Sequence, residues 1–95
     1  MMSKEIMVDG KVYLLVKNYR DAFVEEMFLE RYTSYFSGYD YIVGDIAYNK
    51  LRLKGFYDDK NKKVKEFNNY RYLEKYLKEN CAVSCKYFVL KKKND

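Results

Sequence analysis

YDYIVGDIAYNKLRLKGFY (Tyr39–Tyr57) holds two β-rich runs joined by a short polar link at Tyr48-Asn49. Such a pattern reads as a hairpin. With a two-residue turn, Ile46 faces Leu51, Asp45 faces Arg52, Gly44 faces Leu53, Val43 faces Lys54 and Tyr41 faces Phe56. Alternation then places Ile42, Gly44, Ile46, Leu51, Leu53 and Gly55 on one side, the expected core face. The other side carries Tyr41, Val43, Asp45, Arg52, Lys54 and Phe56. A shift of one residue would mix the two sets, so the segregation itself argues for this register.

Working outward, Lys4–Val16 reads as an earlier hairpin. Asp9-Gly10 suits the two left-handed positions of a type I′ turn, and Ile6, Met7, Val8 and Val12–Val16 flank it. From Asp21 to Phe36 the apolar period lengthens to three and four, predicting an amphipathic helix closed by Ser37-Gly38. DDKNKKVK (Asp58–Lys65) reads as an exposed turn, with an optional short strand at Val64–Phe67. Asn68 or Asn69 suits an N-cap for a second helix running to about Asn80. KYFVLK (Lys86–Lys91) predicts the last strand, with a frayed basic tail from about residue 91. The order ββαββ(β)αβ over residues 1–95 predicts one α+β domain: a mostly antiparallel sheet of about five strands with two helices. Gly44 and Gly55 interrupt strands, and close packing of the first helix would account for both.

The 95 residues carry a net charge of +5, unevenly spread. Residues 1–48 hold five Lys/Arg against eight Asp/Glu, and residues 49–95 hold fourteen against six. A basic second half suits RNA, a ribonucleoprotein or an acidic protein as partner. A/T-rich coding bias, visible in the Lys, Asn and Tyr content, supplies the same basicity without any ligand. No apolar run reaches membrane-span length and no signal-peptide core opens the chain, so a cytoplasmic location is expected, with no membrane partner.

Chemistry-bearing motifs are sparse. With no histidine, Cys81 and Cys85 cannot complete a tetrahedral zinc site within one chain. Reduced, partly buried thiols are the ordinary expectation, with a disulfide or a metal shared between chains as alternatives. Asp58-Asp59-Lys60-Asn61 lacks the glycine and closing glutamate of a calcium loop. No phosphate-cradle or hydrolase motif occurs, so neither cofactor, metal nor catalytic residue is assigned, and a binding module is expected rather than an enzyme.

Asp45 and Arg52 are expected to form a cross-strand ion pair. On the same face, Tyr41 and Phe56 could stack on bases while Arg52, Lys54 and the loop residues Lys62, Lys63 and Lys65 contact phosphates. The alternatives are that the second helix covers this face, and that the protein is an interaction adaptor without nucleic-acid contact. YDYIVGD (Tyr39–Asp45), LRLKGFYDD (Leu51–Asp59) and CAVSCKYFVL (Cys81–Leu90) together resemble the YutD-like family of Gram-positive bacteria. Tyr13 and Glu30-Arg31-Tyr32 are similar too. The resemblance implies a small cytosolic α+β domain of a low-GC bacterium, and carries over no activity and no site residues.

Overall fold

Two tight turns set the sheet. Asp9 and Gly10 have φ of 55° and 74°, and Tyr48 and Asn49 have 54° and 62°. Two consecutive left-handed residues are what a type I′ connection requires, because its twist matches that of the strands it joins. The computed structural model describes residues 4–80 and 85–93. The first turn joins β1 (Lys4–Val8) to β2 (Lys11–Tyr19), and the second joins β3 (Tyr41–Ala47) to β4 (Lys50–Phe56). The β3–β4 register is the one the alternation predicts, from Ala47 opposite Lys50 to Tyr41 opposite Phe56.

The C-terminal strand β5 (Lys86–Lys92) unites the two hairpins by inserting between β2 and β3. The spatial order is β1-β2-β5-β3-β4, with every neighbouring pair antiparallel. The start of the tail is therefore anchored rather than frayed. Lys92 N–H donates to Asp40 O at 2.8 Å, Lys92 Nζ to Ser37 O at 2.9 Å, and Lys93 N–H to Val12 O at 2.8 Å.

The predicted helix over Asp21–Phe36 is interrupted. Arg20 and Asp21 turn the chain with φ of 59° and 54°, and Phe23 N–H donates to Asn18 Oδ1 at 2.9 Å. The first helix, α1, spans Glu25–Arg31, and a 3₁₀ turn follows over Ser34–Gly38, with Tyr32 and Thr33 extended between them. The break lets Phe28, Tyr32 and Phe36 form a continuous ring contact at centroid distances of 5.7 and 6.3 Å. Burying those rings outweighs the weak helix preference of Tyr32 and Thr33. The optional strand at Val64–Phe67 does not form, and Glu66–Asn68 makes a 3₁₀ turn instead. A second 3₁₀ turn over Tyr70–Tyr72 leads into α2 (Leu73–Asn80), with Asn69 Oδ1 accepting from Arg71 N–H at 2.9 Å.

Both sheet faces are packed. Ile6, Tyr13, Ile42, Leu51, Phe88 and Leu90 join Ala22 and Phe28 on the α1 side. On the α2 side Tyr41, Val43, Phe56 and Val89 meet Leu73, with Tyr70, Tyr76 and Leu77 around them. The strand glycines are covered by rings rather than by helix 1. A Cβ at Gly44 would overlap the Phe88 ring, and one at Gly55 would overlap the Tyr39 ring. Cys85 is buried and disulfide-bonded, which corrects the expectation of a reduced thiol, and Cys81 lies outside the described residues.

Candidate functional site

The β3–β4 register delivers Asp45 and Arg52 side by side. Arg52 Nε donates to Asp45 Oδ1 at 2.9 Å, and Nη2 lies 2.9 Å from the same oxygen. Arg52 Nη2 also donates to Asn80 O at 2.7 Å, tying β4 to the C-terminal end of α2. A cation there complements the negative end of the helix dipole. Hydrogen bonding to Asp45, and then its charge, hold the guanidinium pKa above its ordinary value. Asp45 is 1% exposed while the Arg52 side chain remains 53% exposed, so the pair spans core and solvent.

Tyr41 and Phe56 do not face water. Tyr41 stacks on Tyr70 with centroids 3.7 Å apart and planes at 5°, and Phe56, 1% exposed, meets Tyr76 edge-on at 5.4 Å. The α2 segment covers this half of the sheet, so neither ring can serve as a base-stacking platform. Burial accounts first for the raised pKa values of Tyr41, Tyr70 and Tyr76. Lys54 is half-buried at the rim, its Nζ 5.2 Å from the Phe56 ring centroid and 5.7 Å from those of Phe67 and Tyr76. Cation–π attraction stabilises a lysine so placed.

Lys62, Lys63 and Lys65 stay exposed on the following loop, apart from the covered rings. Two carboxylates, Asp40 before β3 and Asp58 within the loop, fasten it. Asp40 Oδ2 accepts from Asp58 N–H at 2.8 Å and from Asn61 Nδ2 at 3.0 Å, and Asp58 Oδ2 accepts from Lys60 N–H at 3.0 Å. Among the described residues no cluster of His, Cys, Asp or Glu could hold a metal ion, and no helix is long and apolar enough to cross a membrane.

Two concavities flank β4. A groove of about 550 Å³ lies between β4 and the segment from Glu66 to Asn80, with Lys54, Phe67, Tyr72 and Lys75 on its walls. Phe67 is 69% exposed there, a large apolar side chain left in water beside a lysine. A cleft of about 440 Å³ adjoins it at the hairpin tip, lined by Arg31, Tyr48, Lys50 and Arg52. Sequence reasoning singled out Arg52 and Lys54 but missed Phe67, Tyr72, Tyr48 and Arg31. The tyrosine inside a turn was the readable signal for Tyr48. Nothing local marks the others.

The family described as "Putative antitoxin YutD-like" matches residues 7–91. The chain belongs to the YutD-like family. It is 45% identical over 87 residues to "Putative antitoxin YutD" of Bacillus subtilis strain 168, covering 92% of this chain and 96% of that one. The solution NMR structure of protein yutD from B. subtilis is 41% identical, with a TM-score of 0.83 over 100% of this chain and 86% of the other. Like that structure, the chain is an α+β fold, here with a helix on each face of the sheet.

Proposed function

We propose that this YutD-like protein acts as an antitoxin-type binding module, docking on a protein partner through the groove between β4 and the Glu66–Asn80 segment. The observation that carries the reading is Phe67, 69% exposed beside Lys54 and Tyr72 on the groove wall. Aromatic side chains in a concave setting are the usual anchors of protein interfaces, since they bury large area at little entropic cost. The groove sets Lys54 and Lys75 against Glu66 and Glu79, which favours a partner presenting an apolar segment flanked by charges of both signs. The name carried by the 45% identical relative agrees with a module of this kind.

A genomic library expressed in the host, screened for products toxic alone and tolerated with this chain, tests the reading. At least one such product is expected, forming a nuclease-resistant complex with the chain. Phe67→Ala with Tyr72→Ala should remove the protection while leaving the fold intact. Finding no such product, or equal protection by the double variant, would sink the proposal.

The exposed loop lysines Lys62, Lys63 and Lys65 favour a second reading, an RNA or ribonucleoprotein partner. Binding would then fall steeply with salt, by roughly one counterion per phosphate contact, and alanines at these lysines would flatten that slope. Flat affinity between low and moderate salt, or loss of RNA binding in no lysine variant, removes it.

A further inference from the structure

We propose that the cleft at the β3–β4 tip binds a nucleoside phosphate, the phosphate on Arg31, Lys50 and Arg52 and the base on Tyr48. The inference does not depend on the antitoxin reading, which uses the neighbouring groove. The cleft of about 440 Å³ is lined by Arg31, Ala47, Tyr48, Lys50, Leu51, Arg52 and Asn80, with three cations and no carboxylate among them. That volume lies within the range of small-molecule sites. The cations come from different elements: Arg31 ends α1, while Lys50 and Arg52 lie on β4.

Arg52 is held in place before any ligand arrives. Its Nε and Nη2 are engaged by Asp45 and the Asn80 carbonyl. A guanidinium so fixed loses little freedom on meeting an oxyanion, which it would contact through Nη1, the nitrogen that neither Asp45 nor Asn80 engages. Asp45 is a positioning residue in this arrangement, buried behind the arginine.

Tyr48 supplies an independent observation. It is 91% exposed and has a φ of 54°, a conformation that bulky side chains rarely adopt. No burial compensates for that strain, and Asn or Gly would serve the turn better. The strained ring stands beside a cationic cleft, which gives the two halves of nucleotide recognition: charge for the phosphate and a flat face for the base. Lysines guarding an edge strand against pairing would account for Lys50 alone. That role explains neither the arginine from α1 nor the tyrosine.

Titration of the full chain with ADP, pyrophosphate and a glutamate-rich peptide, followed by amide NMR shifts, tests the site. ADP should shift Arg31, Tyr48, Lys50 and Arg52 together. Lys50→Ala with Arg31→Ala should weaken both ADP and pyrophosphate by about tenfold or more. Tyr48→Ala should weaken ADP by about tenfold and leave pyrophosphate unchanged, while Tyr48→Phe retains ADP. A 5′-phosphorylated tetranucleotide separates the sources: binding like ADP points to an RNA end, and failure to bind points to a free nucleotide. The proposal is overturned if millimolar ADP at low salt leaves these amides unmoved. It is also overturned if the peptide binds there as well as ADP does, or if Tyr48→Ala changes nothing. Unshifted amides elsewhere confirm that each variant is folded.

Discussion

Gly44 and Phe88 are opposite one another on β3 and β5, and the ring occupies the space that any other side chain at residue 44 would need. A Cβ at residue 44 would overlap the Phe88 ring, which is itself 1% exposed, so neither partner can move without disturbing the core. Gly44→Ala is therefore expected to destabilise the fold by about 1–3 kcal/mol, read as a lowered urea midpoint at unchanged m-value. An unshifted midpoint would mean that Phe88 has another place to go. Asp45 makes a second demand at this scale. Removing Arg52 would strand a carboxylate that is 1% exposed, at a cost of about 1–3 kcal/mol once the arginine's own exposure is discounted. Arg52→Ala should be clearly worse than the neutral pair Asp45→Asn with Arg52→Gln, which needs no buried charge. Equal unfolding midpoints for the two would show that the ion pair is incidental to stability.

Hairpin β3–β4 carries its turn at some expense, because Tyr48 holds a left-handed conformation without burial. Tyr48→Asn should stabilise the chain by about 0.5–1 kcal/mol, a rise of a few degrees in Tm, while removing the ring from the tip cleft. A lower Tm would indicate that the tyrosine contributes packing the turn requires. The hairpin was also the most legible element, and for a physical reason. Strict alternation from Tyr41 to Phe56 permits one register, since a single-residue slip would interchange the two faces. Asp9-Gly10 was equally plain because its turn chemistry is local. The long first helix was legible only in part: the period continues through Tyr32 and Thr33, but ring packing against the sheet decides where the helix stops. The cover over Tyr41 and Phe56 was hidden by their neighbours. Asp45, Arg52 and Lys54 look like a solvent face, yet they lie at the rim of α2, where the heads of Arg52 and Lys54 reach water while Asp45 and the neighbouring rings are covered. Which strand lies between the hairpins depends on contacts between residues far apart in the chain, such as Tyr13 with Lys92, and no local pattern encodes that.

Across the whole molecule, the aromatic residues tie sheet, helices and loops together, and this links stability to high pH. Twelve tyrosines are distributed through a chain that has no histidine. Tyr39 donates or accepts a hydrogen bond with the Tyr35 hydroxyl at 2.9 Å, which with burial pushes its pKa up to about 12. Tyr13, buried on the α1 side, and Tyr41, Tyr70 and Tyr76, packed on the α2 side, are raised chiefly by burial. In each case the folded state favours the neutral phenol, whereas the unfolded chain ionises near the ordinary value of 10.0. Below that value the contribution is complete and does not vary with pH. As the pH climbs from about 10 to 12 the unfolded chain releases protons that the folded chain retains, so stability falls. Both halves of the core should then fail together, since Tyr13 belongs to one side of the sheet and Tyr41 to the other. Tyrosinate absorbance from the buried tyrosines is expected to appear together with the loss of circular-dichroism signal. Ionisation of all twelve tyrosines near pH 10 with the fold preserved would contradict the burial of these phenols, and with it the placement of α2 over Tyr41 and Phe56.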